Sequence, residues 1–355
     1  MTRKWRRRVK ITACLVILSI ILFIFSSHSL AKCPTRMGSV YLQDKFLVIA
    51  HRGSVAKFPE NTFPAFQEAL NIDGANSLEV DLSFTKDREI VLWHDWDPNS
   101  PTALFRQEGK EPIAKFLPSN PSSSESRWRQ KISELTLLQF RDHYGYEDKI
   151  THSKSNARIP AFHEFIKWAG QQDKLKLVLL KFRVPADELN LFPVMLKKIK
   201  DFIDSLDFQL RFQLVFSIPH KDALSRIQNQ FSEFTFSYDR EVPAVGIVNY
   251  HRFTTIPRAM ELKNNFAAIG LTVPHTITSK PTMDPWEIYQ HILSLDFKIR
   301  DNYRESSSKY IKLISWTFND EKKMRCLINL GVDGIVTDRP GVLKDLALDM
   351  GKILD

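Results

Sequence analysis

Three short apolar runs in the first third of the chain each lead into residues that could do acid–base or metal chemistry. His51 and Arg52 follow the first run, Glu79 and Asp81 lie within the second, and His94 follows the third. Histidine titrates near neutral pH, so two histidines can supply one base and one acid. We therefore predict a single catalytic site in which His51 and His94 transfer protons.

The two carboxylates predict a metal site. Glu79 and Asp81 are two residues apart on a predicted strand, so their side chains point to the same face. Two neighbouring carboxylates repel each other when alone, and together they suit a hard divalent cation such as Ca²⁺ or Mg²⁺. Arg52 offers a planar pair of donors for an anionic oxygen. The whole set suits phosphodiester cleavage, in which charge builds up on phosphate oxygens while one proton is removed and another delivered.

These residues must be positioned by an alternation of strands and helices. The run of residues 46–50 has the length and composition of a strand buried on both faces, and the helix after it has Thr62 as a plausible N-cap and Pro64 in its first turn. About eight strands alternate with helices over roughly 300 residues, which favours a closed parallel α/β barrel over an open doubly wound sheet. The glycine-rich phosphate loop typical of the open sheet does not occur.

In such a barrel, functional residues lie at the C-terminal ends of the strands. The candidates at or just past predicted strand ends include His51, Asp81, His94 and Lys181. The residues from Trp96 to about Asn156 lack a regular pattern, and we interpret them as an insertion on the face where His94 emerges, with a flexible loop at residues 117–126. Asp338-Arg339-Pro340 is interpreted as a structural turn.

The basic charge of the chain is concentrated at its N-terminus. Six of the positive residues lie in the first ten positions, and setting them aside lowers the net charge from +9 to +3, which gives no support to nucleic-acid binding. An apolar run at residues 11–25 follows, which fits a cleaved signal peptide or a membrane anchor. We predict an exported or lumenal domain, and an uncleaved anchor would keep the basic end in the cytoplasm.

The cysteines are too few for a disulfide scaffold or a cysteine-rich metal site. Cys14 lies inside the apolar run, which leaves Cys33 and Cys326. A bridge between these two is possible in an oxidising compartment. We favour the reading in which both are unpaired thiols.

At this point the chain resembles the glycerophosphodiester phosphodiesterase family. The motifs HRG, PENT, E-x-D and HD occur at residues 51–53, 59–62, 79–81 and 94–95, with further support from ISELT at 132–136, Ile159-Pro160, SWT at 315–317 and GVDGIVTDRP at 331–340. The resemblance implies a TIM barrel with a family insertion after His94. It assigns acid–base roles to His51 and His94, metal binding to Glu79 and Asp81, and the substrate phosphate to Arg52. We also predict that Lys181 binds the substrate or pairs with a carboxylate. Trp316, at a strand end, is predicted to line the glycerol pocket, with packing inside the barrel as the alternative.

One position departs from the family pattern. The strand at residues 177–181 keeps Lys181 but has Leu179 where the family usually carries a glutamate as a third metal ligand. Cation affinity rises with the charge and number of ligands, so we expect one divalent cation, held more weakly than usual. Glu164 or Asp97 could replace the missing carboxylate.

We predict the following organisation and function. Residues 1–31 form the basic N-terminus with a signal peptide or anchor, residues 32–45 a linker, and residues 46–355 the barrel, with its insertion at about 96–156. The barrel is expected to be a metal-dependent hydrolase of glycerophosphodiesters or lysophospholipids, associated with a membrane through its N-terminal segment. The alternatives are a weakened barrel that binds phospholipid headgroups or a protein partner, and a phospholipase D-like enzyme acting on choline lipids.

Overall fold

A computed structural model describes residue 33 and residues 45–121, 126–218, 220–243, 250–272 and 284–354. The strands are β1 (Leu47–His51), β2 (Ser77–Phe84), β3 (Ile90–Leu92), β4 (Phe116–Ser119), β5 (Gly145–Asp148), β6 (Leu177–Phe182), β7 (Gln213–Ile218), β8 (Thr235–Pro243), β9 (Phe266–Thr272), β10 (Lys312–Trp316) and β11 (Gly334–Thr337). The helices are α1 (Phe63–Asn71), α2 (Pro101–Gln107), α3 (Leu137–His143), α4 (Phe162–Ala169), α5 (Leu191–Asp204), α6 (Lys221–Gln230), α7 (Ile256–Glu261), α8 (Pro285–Ser307), α9 (Glu321–Leu330) and α10 (Pro340–Asp349), with 3₁₀ turns at Ile132–Glu134 and Tyr250–Phe253.

Eight parallel strands close into a barrel, which confirms the predicted fold. Their order is β1, β11, β10, β9, β8, β7, β6 and β2, and pairing of β1 with β2 completes the circle. Apolar side chains from alternating positions fill the interior, among them Ile49, Leu179, Val215 and Ile314. The barrel interior is therefore a packed core, and the candidate site residues lie at its C-terminal mouth.

The third apolar run does not add a barrel strand. β3 pairs antiparallel with the upper part of β2, with Leu82 opposite Leu92 and Phe84 opposite Ile90. The prediction that His94 follows a barrel strand is therefore wrong. Because the hairpin folds back, the amide of Trp93 donates to the carbonyl of Asp81 at 3.2 Å, which returns His94 to the level of the carboxylates.

The insertion has its own small core. β4 and β5 form an antiparallel pair, and α3 packs Phe140 against Trp93 with ring centroids 5.4 Å apart. Tyr146 lies in the same buried cluster. Part of the segment predicted as a flexible loop is strand β4, while residues 122–125 lie outside the described residues. The insertion thus packs directly behind the residue that precedes His94.

Several local predictions can be compared with the structure. Thr62 occupies the N-cap position of α1, but its hydroxyl donates to the carbonyl of Pro59 at 2.6 Å and makes no cap bond. Gly331 ends α9 with a φ of +93°, the left-handed conformation expected of a C-cap glycine. Helix α8 runs from Pro285 to Ser307 and is capped by Asp284, whose side chain accepts from the amide of Trp286.

Both cysteines that follow the apolar run are oxidised. Cys33 and Cys326 are each disulfide-bonded, so the expectation of two unpaired thiols is wrong. The basic segment and the apolar run at residues 11–25 lie outside the described residues. Within the described part of the chain, no helix is both long enough and apolar enough to cross a bilayer.

Candidate active site

The first histidine is fixed by the last strand of the barrel. β1 pairs with β11, with Ala50 opposite Thr337, so the residues that follow them emerge side by side. Nδ1 of His51 lies 2.6 Å from Oδ1 of Asp338. Burial opposes the charge of this carboxylate, but His51 and the amide of Asn319 together lower the pKa of Asp338. The contact at Nδ1 leaves Nε2 of His51 directed towards Glu79, 4.0 Å from Oε2.

The two carboxylates on β2 are buried side by side. Burial and the neighbouring Asp81 raise the pKa of Glu79, whereas Asp81 is held ionised. Burial alone would raise the pKa of Asp81, but Arg52 and Arg183 lower it to about 2. Asn61 orients Asp81 from the loop after β1: its Nδ2 donates to Oδ2 at 3.0 Å and its Oδ1 accepts from the amide at 3.2 Å. Glu79, whose pKa is raised, and Asp81, whose pKa is lowered, therefore lie side by side at the barrel mouth.

The second histidine is held between a carboxylate and an arginine. Nδ1 of His94 lies 2.6 Å from Oδ1 of Asp95, and Nε2 accepts a hydrogen bond from the guanidinium of Arg183. Since an arginine only donates, this contact places the ring proton on Nδ1. Burial, reinforced by the positive charge of Arg183, holds the pKa of His94 well below its usual range. His94 is therefore neutral, with the lone pair on Nε2.

Arg52 is embedded in a buried network of charges. Its backbone has a φ of +57° and its Nη1 donates to Glu60 at 2.7 Å. Nε lies 3.0 Å from Oδ2 of Asp81, which satisfies an ion pair without the alignment of a hydrogen bond. Arg106, from the insertion helix α2, joins the same network by binding Glu60 and Asp95. Arg52 thus pairs with both Glu60 and Asp81, and its side chain is 8% exposed.

Lys181 and Trp316 meet on the opposite side of the mouth. The ammonium of Lys181 lies 3.6 Å from the centroid of the Trp316 indole and 3.5 Å from Oδ2 of Asp239. The indole Nε1 donates to Oδ1 of Asp239 at 2.5 Å. Gly270 makes room for the ring, because a Cβ there would lie 2.5 Å from the indole. The structure thus brings both residues to the mouth and joins them through Asp239.

The side chains at the mouth fit a divalent cation, but with few ligands. Oδ1 of Asp81 is buried and accepts no hydrogen bond within the described residues, as expected of an oxygen reserved for a cation. Leu179 lies opposite Glu79 in the pairing of β2 with β6, and its side chain belongs to the apolar core. No cluster of three or more acidic, histidine or cysteine ligands occurs in the described part of the chain. Glu79 and Asp81 are the residues that would hold the ion.

Of the two suggested replacements for the third carboxylate, Glu164 is held by other partners, whereas Asp97 lines the cavity beside His94 and stays a prediction. Glu164 caps α4 through the amide of Ala161 and pairs with Arg141 and Arg158. Asp97 accepts from the amide of Asn99 at 2.8 Å. Glu164 is therefore a structural residue, and that suggestion is wrong.

Sequence reasoning missed three residues that support the site. Asp338 was interpreted as part of a turn, although closure of a barrel places the last strand beside the first and so places Asp338 beside His51. Arg183 follows Lys181 at the two-residue spacing of a strand face, which was a usable signal. No such signal in the sequence points to Arg106, because it lies in the poorly patterned insertion.

The chain is similar to proteins of known family. A family model described as glycerophosphoryl diester phosphodiesterase matches residues 51–342. A glycerophosphodiester phosphodiesterase of Caldanaerobacter subterraneus is 24% identical over 85% of this chain and 98% of its own. A human lysophospholipase D is 22% identical over 91% of this chain and 93% of its own. A phosphodiesterase of Oleispira antarctica, solved in complex with the product sn-glycerol-3-phosphate, superposes with a TM-score of 0.53 at 18% identity, over 85% of this chain and 96% of that one.

The family model spans well over half of the chain and includes every predicted site residue. The superposition adds that the barrel is the one found in a solved phosphodiesterase. The chain therefore belongs to the glycerophosphoryl diester phosphodiesterase family, and the protein is an enzyme of the phosphoric diester hydrolase class.

Proposed function

We propose that this protein hydrolyses glycerophosphodiesters or lysophospholipids to an alcohol and a glycerol phosphate, with His51 and His94 as the proton-transfer residues. The observation that carries the proposal is the matched pair of histidines. Each has Nδ1 fixed by a carboxylate at 2.6 Å, Asp338 in one case and Asp95 in the other. Nε2 of His51 is thereby directed towards Glu79, 4.0 Å from Oε2, and Nε2 of His94 towards the guanidinium of Arg183.

The comparisons support this substrate class. The Caldanaerobacter relative is a glycerophosphodiester phosphodiesterase, and the human relative is a lysophospholipase D. The Oleispira enzyme holds sn-glycerol-3-phosphate as its product. All three names describe a phosphodiester with a glycerol moiety, or the product of its cleavage.

The reaction follows in two steps. In the first, Nε2 of His94 takes the proton of the glycerol 2-hydroxyl while its oxygen attacks phosphorus, and His51 donates a proton to the departing alcohol as its P–O bond breaks. The product still bound is a cyclic phosphate. In the second step a water attacks phosphorus, one histidine takes its proton and the other protonates the 2-oxygen, which opens the ring to glycerol phosphate. The lone pair on Nε2 of His94 favours this residue as the first base.

Glu79 and Asp81 would hold a divalent cation, which would supply charge stabilisation to the phosphate oxygens. Mg²⁺ suits these residues better than Ca²⁺, because Mg²⁺ commonly binds through one or two carboxylates together with substrate phosphate and water. Leu179 contributes no oxygen, so a low cation affinity is expected. Asn61 and the side chain of Arg52 hold Asp81 in place, and the backbone amide of Arg52 donates to Oε2 of Glu79 at 3.2 Å.

We also infer that the enzyme acts outside the cytoplasm, at a membrane or after export. The basic N-terminus followed by an apolar run supports this location. The disulfide-bonded state of Cys33 and Cys326 agrees with an oxidising compartment.

The test is hydrolysis of glycerophosphocholine and lysophosphatidylcholine with added Mg²⁺ or Ca²⁺. His51→Ala is expected to lower kcat by about 10²- to 10⁴-fold, since that is the usual contribution of a proton-transfer residue. His152→Ala is the matched control, because His152 is 72% exposed on the insertion. Detection of a cyclic phosphate separates this mechanism from that of a phospholipase D-like enzyme. Absence of any His51-dependent turnover would leave headgroup binding, which the apolar Leu179 favours.

A further inference from the structure

The interior face of β6 changes character at the barrel mouth. Its inward positions are Leu177, Leu179 and Lys181, and Arg183 continues the same row one residue past the end of the strand. The two leucines belong to the apolar core, whereas the two cations stand at the rim. Phe182, between the cations, packs outward against Phe192 on α5. The row thus presents two positive charges to the site and no carboxylate.

Arg183 contacts two of the residues on which the proposed chemistry depends. Its guanidinium donates to Nε2 of His94, and its Nε donates to the carbonyl oxygen of His94 at 3.2 Å. Nε also lies 3.7 Å from Oδ1 of Asp81, the buried oxygen without a hydrogen bond. One side chain therefore covers both the free nitrogen of the second histidine and an oxygen suited to the cation.

Arg183 is also the arginine that faces open space. It lines a cavity of about 460 Å³ at the mouth, together with His94, Thr102 and Lys131, and its side chain is 29% exposed. Arg52 differs in each respect: it is 8% exposed and is tied to Glu60 at 2.7 Å. Turning Arg52 towards a ligand would leave buried carboxylates unpaired, which is costly. Turning Arg183 gives up hydrogen bonds to a neutral imidazole and a backbone carbonyl oxygen, and an ion pair 3.7 Å long.

We propose that Arg183 binds the substrate phosphate, and that its movement from His94 to the phosphate uncovers Nε2 of that histidine. This inference rests on the proposed function for the substrate class. A phosphate oxygen is a stronger partner for a guanidinium than a neutral ring nitrogen, because the hydrogen bonds are charge-assisted and can be bidentate. The same movement releases Oδ1 of Asp81. Substrate binding thus prepares the base and a metal ligand together.

Binding of sn-glycerol 3-phosphate tests this proposal without turnover. Arg183→Gln is expected to raise its Kd by about 10- to 100-fold in calorimetry, in line with the loss of charge-assisted hydrogen bonds. The Kd of Arg183→Lys should lie between those of the wild type and Arg183→Gln, since an ammonium keeps the charge but loses the planar pair of donors. Arg211→Gln is the matched control, because Arg211 is 67% exposed and precedes β7 at the opposite end of the barrel.

Steady-state kinetics supply the second readout. Arg183→Gln should raise KM for glycerophosphocholine as well as lower kcat, and ethylguanidinium at millimolar concentration should partly restore Arg183→Ala. A loss that came only from disturbed packing would not be rescued in this way. Unchanged Kd and KM in Arg183→Gln would overturn the proposal, and if that variant does not fold, unchanged values in Arg183→Lys would do so.

The two hypotheses fail differently. If the wild-type protein hydrolyses no diester but binds glycerol 3-phosphate through Arg183, the proposed function fails and the phosphate site stands. If turnover depends on His51 but not on Arg183, the function stands and this inference fails.

Discussion

At the scale of single residues, each histidine acts with a carboxylate. Asp338 accepts at 2.6 Å from Nδ1 of His51, and Asp95 does the same for His94. A carboxylate in this position fixes the tautomer of the ring and stabilises the imidazolium when it forms. We therefore treat Asp338 as a positioning residue for proton transfer.

Removing the charge of Asp338 tests this role. In Asp338→Asn the amide nitrogen can face His51 and favour the wrong tautomer, so we expect kcat to fall by about 10²-fold or more with a small change in KM. Steady-state kinetics on glycerophosphocholine give both constants. Asp345→Asn is the control, since Asp345 is 71% exposed on α10. A large rise in KM with kcat preserved would instead mean that Asp338 acts in substrate binding.

Leu179 is the residue of this scale at which metal binding can be tested. It is 1% exposed and lies opposite Glu79. Leu179→Glu should destabilise the metal-free protein by roughly 3 kcal/mol, because it buries a carboxylate in an apolar cluster. Mg²⁺ should then raise Tm more for this variant than for the wild type, by the linkage of binding to folding.

Leu179→Gln is the matched control for this comparison, because it keeps the size and polarity of the glutamate side chain but not its charge. Its Tm should respond to Mg²⁺ no more than that of the wild type. Equal responses of the glutamate and glutamine variants would show that a third carboxylate on β6 does not complete the site.

At the scale of elements, a glycine on β9 leaves space for a tryptophan side chain on β10. Gly270 lies beside Trp316 in the pairing of these strands, and a Cβ there would overlap the indole. Gly270→Ala should therefore push the ring away from Lys181 and Asp239, at a cost of about 1–3 kcal/mol for the overpacking. We expect a higher KM and a shifted tryptophan emission.

Gly145→Ala is the control for this substitution, since nothing lies within 4 Å of a Cβ at that position. If Gly270→Ala shifts the fluorescence but leaves KM unchanged, Trp316 is a packing residue and does not line the substrate site.

The sequence predicts elements best where tertiary contacts matter least. The continuous apolar runs of β1 and β6 and the C-cap at Gly331 indicate the barrel and its alternation. The direction of β3 could not be predicted, because a run of three apolar residues has the same pattern in a barrel strand as in a hairpin. The regular structure of the insertion could not be predicted, because its core depends on aromatic contacts such as that of Trp93 with Phe140.

The candidate site shows the same limit. The types and spacing of His51, Glu79, Asp81 and His94 suffice to predict that they act together, and the structure brings them to one end of the barrel. The carboxylates that orient the histidines, and the contact of Arg183 with His94, depend on which strands become neighbours. Charge partners of this kind are properties of the closed barrel rather than of any segment.

At the scale of the whole molecule, the oxidation state of the cysteines bears on where the enzyme works. Cys326 lies in α9 and is 4% exposed, and both Cys326 and Cys33 are disulfide-bonded. A native disulfide typically contributes about 2–4 kcal/mol to stability, so reduction should lower the free energy of unfolding of the wild type by that amount. Urea unfolding with and without a reductant measures it.

Cys326→Ser provides the control for this experiment. Its stability should equal that of the reduced wild type and should not respond to reductant. Thiol titration of the unreduced, unfolded wild type should find neither Cys33 nor Cys326 reactive. If both react and the reductant has no effect on stability, the cysteines do not support export.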